Sequence, residues 1–415
     1  MKRVTLVSLS IFVFLQILSS SARAQGFEKP ILWSGRYAGV ANAVASLVRS
    51  PEALVLNPAG LAETNNAAVF DLSPVYVVTH APIVQDNVTL NGDPRLVPVG
   101  AGFASRQIND RLGIGLGASG IGGAGGSYGN VSFSPSAAPL IRTILTLIEL
   151  SLGAGYRVTD ELNIGAAYRV TVFRADANNA GGGVSSAVTG LTGTNYGGYR
   201  LGVQYQPKSK TWGLGAVYRS RVSLDFTGGT QIISNITTNP TSGLGTSNDA
   251  SLTTSSPYAL FLGGYYRMNA LLFALQYEFY NYSENQTQTL HSTALTQAGV
   301  PGGTQIVQLG WQNLQFLRAG VQYELMEGHP LRIGYIYGTK VTPNDRATYA
   351  YTSPGPTNTF TLGTGGKLSE NWKWDSALDY SFISGVGTSN PPNLAGSYAF
   401  KDYTFHLGLE YALRD

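Results

Sequence analysis

The chain contains no cysteine, which removes disulfide frameworks, thiolate chemistry and a lipidated N-terminal cysteine from consideration. Charge is scarce as well. Asp, Glu, Lys and Arg make up 12% of the 415 residues, little for a soluble protein. From Ala67 onward no apolar run approaches the roughly 20 residues that a membrane helix requires, and with a mean hydropathy of zero the chain is too polar for a bundle of such helices. There are four histidines, at His80, His291, His329 and His406, and they are scattered. No paired-histidine metal spacing, Gly-x-Ser-x-Gly elbow, phosphate loop or dinucleotide fingerprint occurs. No enzymatic activity, cofactor or metal is therefore expected, and His406 is expected to pair with Glu410 or water.

What is present begins with a leader. Lys2 and Arg3, an apolar run from Val4 to Leu18, three serines and Ala22-Arg23-Ala24 have the order of a secretory signal peptide. Cleavage is expected after Ala24. It would remove Lys2, Arg3 and Arg23 and take the formal charge from +3 to zero, so the basicity belongs to the leader and points to no nucleic-acid partner.

Beyond Ala67 the dominant pattern is alternation. Leu331, Ile333, Tyr335 and Tyr337 interleave with Arg332, Gly334, Ile336 and Gly338, and Tyr403 to Leu413 repeats the pattern with Thr404, His406, Gly408 and Glu410 on the other parity. Period two over about ten residues is the strand signature. About fourteen such segments can be counted, near residues 67–80, 97–106, 111–120, 146–158, 161–174, 197–206, 211–224, 256–267, 270–284, 314–325, 330–341, 358–368, 372–383 and 401–413. Tight turns such as Thr159-Asp160 and Met268-Asn269 alternate with long loops rich in Gly, Ser, Thr and Asn. An even strand count with short turns at one end and long loops at the other defines an all-β outer-membrane barrel. The apolar parity then faces lipid, and the glycine and charged parity faces the lumen. Tyr156, Tyr205, Trp212, Tyr323, Trp372, Trp374 and Tyr411 suit the interfacial girdles.

Residues 25–66 precede the first strand and read as helical. Val40, Ala43, Val44, Leu47 and Val48 recur at helical spacing, Ser50-Pro51-Glu52 signals a second helix start, and Asn57 is pushed out of the helical region by Pro58. Gly60 is expected to close the turn in the left-handed conformation. A fourteen-stranded lumen is too wide for its own side chains to fill, and glycines occupy the lumenal parity of consecutive strands at positions 100, 102, 113, 115, 117, 153, 155 and 165. Such glycines mark close approach of another backbone. The N-terminal segment is therefore expected to plug the barrel, which divides the chain into leader (1–24), hatch (25–66) and barrel (67–415).

These residues resemble the FadL-type outer-membrane transporters of long-chain fatty acids and aromatic hydrocarbons. The most specific part is Gly35-Arg36 and Gly39 leading to Asn57-Pro58-Ala59-Gly60-Leu61, which is similar to the family's hatch motif. The segments Leu331 to Tyr335, Thr361-Leu362-Gly363 and Gly320 to Glu324 add weaker support. The resemblance implies a fourteen-stranded barrel with a hatch and substrate leaving sideways at a kinked third strand. Three further features are candidates for such a path. Gly120, Gly122, Gly123, Gly125 and Gly126 end the third strand, where missing side chains would interrupt pairing and open the wall. Leu140, Ile141, Ile144 and Leu145 form an apolar patch in an expected outer loop. Arg219 and Arg221 are placed to meet a carboxylate head group; the other lumenal charges, Arg169, Glu278, Arg318, Glu324, Arg332, Asp375, Asp379 and Glu410, are expected to pair with one another and hold the wall and hatch. The chain is thus read as a monomeric channel, surrounded by outer-membrane lipid, that passes hydrophobic small molecules inward. A general porin and a secretion or assembly platform are the alternatives.

Overall fold

A computed structural model of the chain describes residues 34–80, 83–85, 88–90, 94–128, 141–181, 184–234, 243–346, 355–388 and 395–413. The expected leader and Leu140 lie outside the described residues. Fourteen antiparallel strands close into a barrel. They are β1 (Ala67–His80), β2 (Arg95–Gln107), β3 (Leu112–Tyr128), β4 (Ile141–Arg157), β5 (Leu162–Gly181), β6 (Val184–Tyr205), β7 (Trp212–Arg219 continued by Val222–Ser234), β8 (Gly243–Ser256 continued by Ala259–Met268), β9 (Leu271–Tyr280), β10 (Leu314–Met326), β11 (His329–Gly338), β12 (Thr357–Lys367), β13 (Trp372–Thr388) and β14 (Ala395–Ala412). Each pairs with its neighbours in sequence, and β14 closes on β1 from Ala67 opposite Ala412 to His80 opposite Ala399.

The alternation of side chains decides which face meets which solvent. On β9 the outward residues Leu271, Phe273, Leu275, Tyr277 and Phe279 are apolar, while Gln276, Glu278 and Tyr280 turn inward and are buried. Outward Leu214, Leu262, Leu275, Ile333, Leu362 and Leu378 are each about half exposed, which suits hydrocarbon. Aromatic pairs bracket this band. Tyr205 and Trp212, and Trp372 and Tyr411, lie at the end with the tight turns; Tyr199 and Tyr218, and Tyr380 and Tyr403, lie at the other. From Trp372 to Tyr380 is eight residues, or about 20 Å along the membrane normal for a strand tilted near 40°.

Several strands run beyond the outer aromatic row, further than the period-two signal. The second half of β7, the first half of β8 and most of β5 and β6 past residue 174 and before residue 197 are strand where loop was expected. Past the membrane the outward face meets water, so Ser, Thr, Asn and Gly serve on both faces and the polarity contrast that reveals a strand fades.

The hatch also differs from its sequence reading. Among its described residues only Gly35–Ala38 (α1) and Ala53–Leu56 (α2) are α-helical, followed by a 3-10 helix at Pro58–Glu63. The amphipathic stretch from Val40 to Val48 is a series of turns, broken where Ala41 and Asn42 take positive φ of 57° and 53°. Its backbone serves the wall instead of itself: Gly39 O accepts from Thr361 Oγ1 at 3.0 Å, Ala41 O from Arg318 at 3.1 Å and Ala45 O from Gln204 at 3.0 Å. A helix would have kept those carbonyls for its own ladder.

The lumenal glycines are where this packing becomes possible. A Cβ on Gly165 would lie 2.2 Å from the Pro58 carbonyl carbon, one on Gly155 2.3 Å from Ala62 N, one on Gly215 2.2 Å from Ala45 O and one on Gly320 2.5 Å from Val40 O. Wall and plug thus meet backbone to backbone on β4, β5, β7 and β10. Gly117 is different, since it makes room for the Phe103 ring. Replacing Gly165 by valine should leave a heat-modifiable barrel with an unseated hatch, seen as raised ion conductance in planar bilayers; parent-like conductance would contradict this seat.

Candidate functional site

Asn57, with φ −161° and ψ 104°, is extended as expected before a proline. Its Nδ2 donates to Ala45 O at 2.6 Å and to Val203 O of β6 at 3.1 Å, and its Oδ1 accepts from Ala59 N at 3.1 Å. One fully buried side chain therefore ties two turns of the hatch to the wall and caps the 3-10 helix. Pro58 opens that helix, and Ala59 and Gly60 continue it. Gly60 is not left-handed; it is needed because a Cβ would sit 2.0 Å from Val48 O. Nor does Ser50 cap α2. Glu52 holds that position without a side-chain cap, and Ser50 and Ser34 both donate to its buried carboxylate.

Charged side chains ring the hatch in pairs. Arg36 binds Asp375 at 3.0 Å and Glu410 at 2.6 Å, Asp375 also binds Arg332 at 2.6 Å, and Glu410 also binds Lys373 at 2.9 Å. On the opposite side Arg49 binds Glu63 at 2.7 Å, and Glu63 accepts from Asn163 at 3.0 Å. Burial alone would raise the Glu63 pKa, but Arg49, Asn163 and Arg157 together hold it below its ordinary value. His406 does not pair with Glu410: its Nε2 lies 2.7 Å from Asp379 and its Nδ1 2.8 Å from Ser73, because four residues along one strand separate it from Glu410 by about 13 Å.

A different arrangement stands in the upper lumen. Glu149 of β4, fully buried, binds Arg169 of β5 at 2.6 Å and Arg200 of β6 at 3.0 Å. Arg219 of β7 is also buried and lies over the Tyr280 ring, 5.2 Å from its centroid. Two guanidinium groups thus share one carboxylate, and Arg169 Nη2 and Arg200 Nε are buried without a hydrogen-bond partner. Sequence reasoning named Arg169 only as a lumenal charge and missed Glu149 and Arg200. An acid on the lumenal parity of the otherwise apolar run Leu147-Ile148-Glu149-Leu150 was the available signal.

Arg221 does not join this group. Ser220 and Arg221 interrupt β7, the inward phase shifts by one, and Arg221 turns out to pair with Glu284 at 2.8 Å in a largely exposed position. The apolar patch is also placed differently. Ile144 and Leu145 are in β4 and not in a loop, and Ile141 begins that strand. Leu145 points inward with Leu147, Phe173, Leu191, Leu224 and Phe226, part of a continuous apolar cluster that reaches down to Ala38, Ala41 and Ala45 of the hatch. The run looked like loop because the polar residues around it hide its alternation.

The glycine-rich end of β3 remains paired with β4, from Gly122 opposite Leu147 to Tyr128 opposite Ile141, with one bulge at Ile121. Gly123 and Gly125 are part of that ladder. On its other edge the β2 ladder stops at Ala101 opposite Ser119. Among the described residues, Arg95 to Gly100 pair only with β1, and Gly120 to Tyr128 only with β4. The interruption is thus between β2 and β3. Pro98 sits in this free edge, a position where a missing N–H is tolerated.

Fold and site together define a plugged outer-membrane channel with an apolar, partly cationic lumen. The family described as outer membrane protein transport protein (OMPP1/FadL/TodX) matches residues 15–407, and the chain belongs to it. Members of this family are outer-membrane channels for hydrophobic compounds and not enzymes. No curated protein sequence matches the chain. Among solved structures, a FadL homologue of Pseudomonas aeruginosa is similar with a TM-score of 0.77 at 16% identity, covering 94% of this chain and 100% of that one. The P. putida toluene transporter TodX has a TM-score of 0.65 at 16% identity over 92% and 99%. The Ralstonia pickettii toluene transporter TbuX has 0.62 at 18% identity over 91% and 98%.

Changing Asn57 to Leu should remove three hydrogen bonds in a site closed to water and loosen the hatch by about 1–3 kcal/mol. Membrane abundance and heat-modifiability should match the parent, while uptake of hydrophobic substrate changes and polar antibiotics leak in faster. Parent-like uptake and antibiotic sensitivity at equal abundance would reduce the motif to a capped turn.

Proposed function

We propose that the protein takes up hydrophobic molecules that carry an anionic head group, with long-chain fatty acids the best fit. One observation carries this reading: the Arg169 and Arg200 guanidinium groups share the single carboxylate of Glu149, with the buried Arg219 close to Arg169. Buried charge in excess of its counterions is costly, and unsatisfied guanidinium N–H groups favour a carboxylate, which accepts two bonds at once. The apolar cluster of Leu145, Leu147, Phe173 and Phe226 beside them would house the chain. A molecule held there lies above the hatch, and the unpaired β2 and β3 edges offer a lateral exit from the lumen into the membrane.

A second reading rests on the same cluster. Phe173 and Phe226 meet edge to face at 4.6 Å, and Phe261, Tyr280 and Phe316 form a chain of ring contacts, a lining that would also take an aromatic hydrocarbon. The two separate on charge. In Arg219→Leu, Glu149 keeps its Arg169 and Arg200 partners, so the wall should stand, while palmitate retained by the purified barrel in native mass spectrometry should weaken about 10- to 100-fold. Toluene binding should not change. Undiminished palmitate affinity would remove the head-group reading.

The lateral exit has its own test. Valines in place of Gly122 and Gly123 should crowd the free edge of β3 and slow uptake of a labelled fatty acid, with the barrel still folded. Unchanged uptake in this double variant would argue for another exit.

A further inference from the structure

The lipid-facing side of the barrel is not uniform. Across β6 to β10 a depression of about 920 Å³ opens on the outward face. Among the described residues none of the hatch lines it, although Ala45 O and Val40 O lie against the inner side of the same strands at Gly215 and Gly320. Its floor is made by small outward residues set among leucines: Gly264 stands opposite Leu214 and Leu275, Ala216 opposite Leu262, and Ala319 opposite Leu275. Tyr205, Trp212 and Tyr266 line its end at the tight turns. The depression therefore begins at the periplasmic aromatic row and runs into the hydrocarbon band. The turns below that end differ from the others. Of the six tight turns, those after β2, β4, β10 and β12 carry Asp110, Glu161, Glu327 and Glu370. Residues 206–211 after β6 carry Lys208 and Lys210, residues 267–270 at the end of β8 carry Arg267, and neither turn has an acid. Arg267 N donates to Thr211 O at 2.6 Å, which sets these two turns side by side. All three cations are exposed. Glu161, which accepts from Lys208 N at 3.2 Å, and Glu324, whose N–H donates to Ala270 O at 3.0 Å, bound the patch on either side.

We infer that this face holds an anionic glycerophospholipid of the periplasmic leaflet, with an acyl chain in the depression over Gly264 and the phosphate on the cations of the two turns. A lipid tail gains little from one apolar surface over another, because leucine and hydrocarbon are alike. The recess instead fixes where a chain lies, and the charge decides which head group stays. Long Lys and Arg side chains at a membrane boundary reach the head-group level, and each cation there favours an anionic over a zwitterionic lipid by about fivefold. A second copy of this chain is a poorer occupant. A two-fold interface sets the same patch against itself, and here it would bring like charges together.

The test is native mass spectrometry of the full-length barrel in detergent with dioleoyl phosphatidylglycerol or dioleoyl phosphatidylcholine, which share their tails. The parent should retain the phosphatidylglycerol about 10- to 100-fold more strongly. The triple variant Lys208→Gln/Lys210→Gln/Arg267→Gln should bring the two lipids level, and since all three residues are exposed at the turns, heat-modifiability should not change. Gly264→Leu fills the depression, and its Cβ would meet Leu214 Cδ2, the end of a side chain with room to turn, at 3.3 Å. It should lower retention of both lipids and keep the preference. Equal retention of the two lipids by the parent would overturn the site. So would a preference that survives loss of the three cations, which would belong to the lumenal arginines. Retention unmoved by Gly264→Leu would take the tail out of the depression, and chain dimers in place of lipid adducts would make this face an interface between copies; either result overturns the inference.

Discussion

Contact between the backbone of the hatch and the backbone of the wall is the constraint on which the rest of this structure depends. A plug inside a barrel has to satisfy its own peptide groups without a regular ladder, in a place where water is scarce. Here it does so by lying within van der Waals distance of strands that carry glycine at each point of closest approach. Once the chain is that close, lumenal Gln204, Arg318, Thr361 and Gln107 can reach its carbonyls directly. A methyl group at Gly165 or Gly215 would move the two surfaces apart and take several of these bonds out of range together.

The charges follow from this arrangement. In the lower lumen Asp375 and Glu410 are held by bases, and Arg36 joins these acids from two strands to the first helix of the hatch. Matched pairs in a confined space hold position and leave nothing for a ligand to claim. The group around Glu149 breaks that balance, with more guanidinium than carboxylate next to the largest apolar cluster of the molecule. An apolar lining in part of the lumen is what distinguishes a conduit for hydrophobic compounds from a water-filled pore.

The hatch and the charged group around Glu149 share one residue. Pro58 removes the donor that Leu54 O would have had, and Arg200 replaces it across the wall. The same proline that sets the turn of the hatch motif thereby ties the hatch to the charged group on β4, β5 and β6.

Much of this was legible in the sequence. Period two, aromatic spacing and alternating loop lengths are local consequences of a lipid-facing and a lumen-facing side, so the barrel, its strand count and the hatch could be read before any contact was known. Glycines such as Gly113, Gly155 and Gly165 could be read as close approach for the same reason, whereas Gly100 and Gly102 alternate with the inward Ala101 and Phe103 and face the other way. Tertiary structure alone decided the rest. The Val40 to Val48 stretch has helical spacing, yet it unwinds because Arg318, Gln204 and Thr361 bid for its carbonyls, and those donors lie hundreds of residues away. Arg219 and Arg221 share a parity, yet part company because β7 breaks between them where it meets β6 and β8. Leu145 reads as surface and turns inward with its strand. Side-chain alternation is a property of each strand, but which donors, acceptors and charges meet across the lumen depends on the shear and closure of all fourteen.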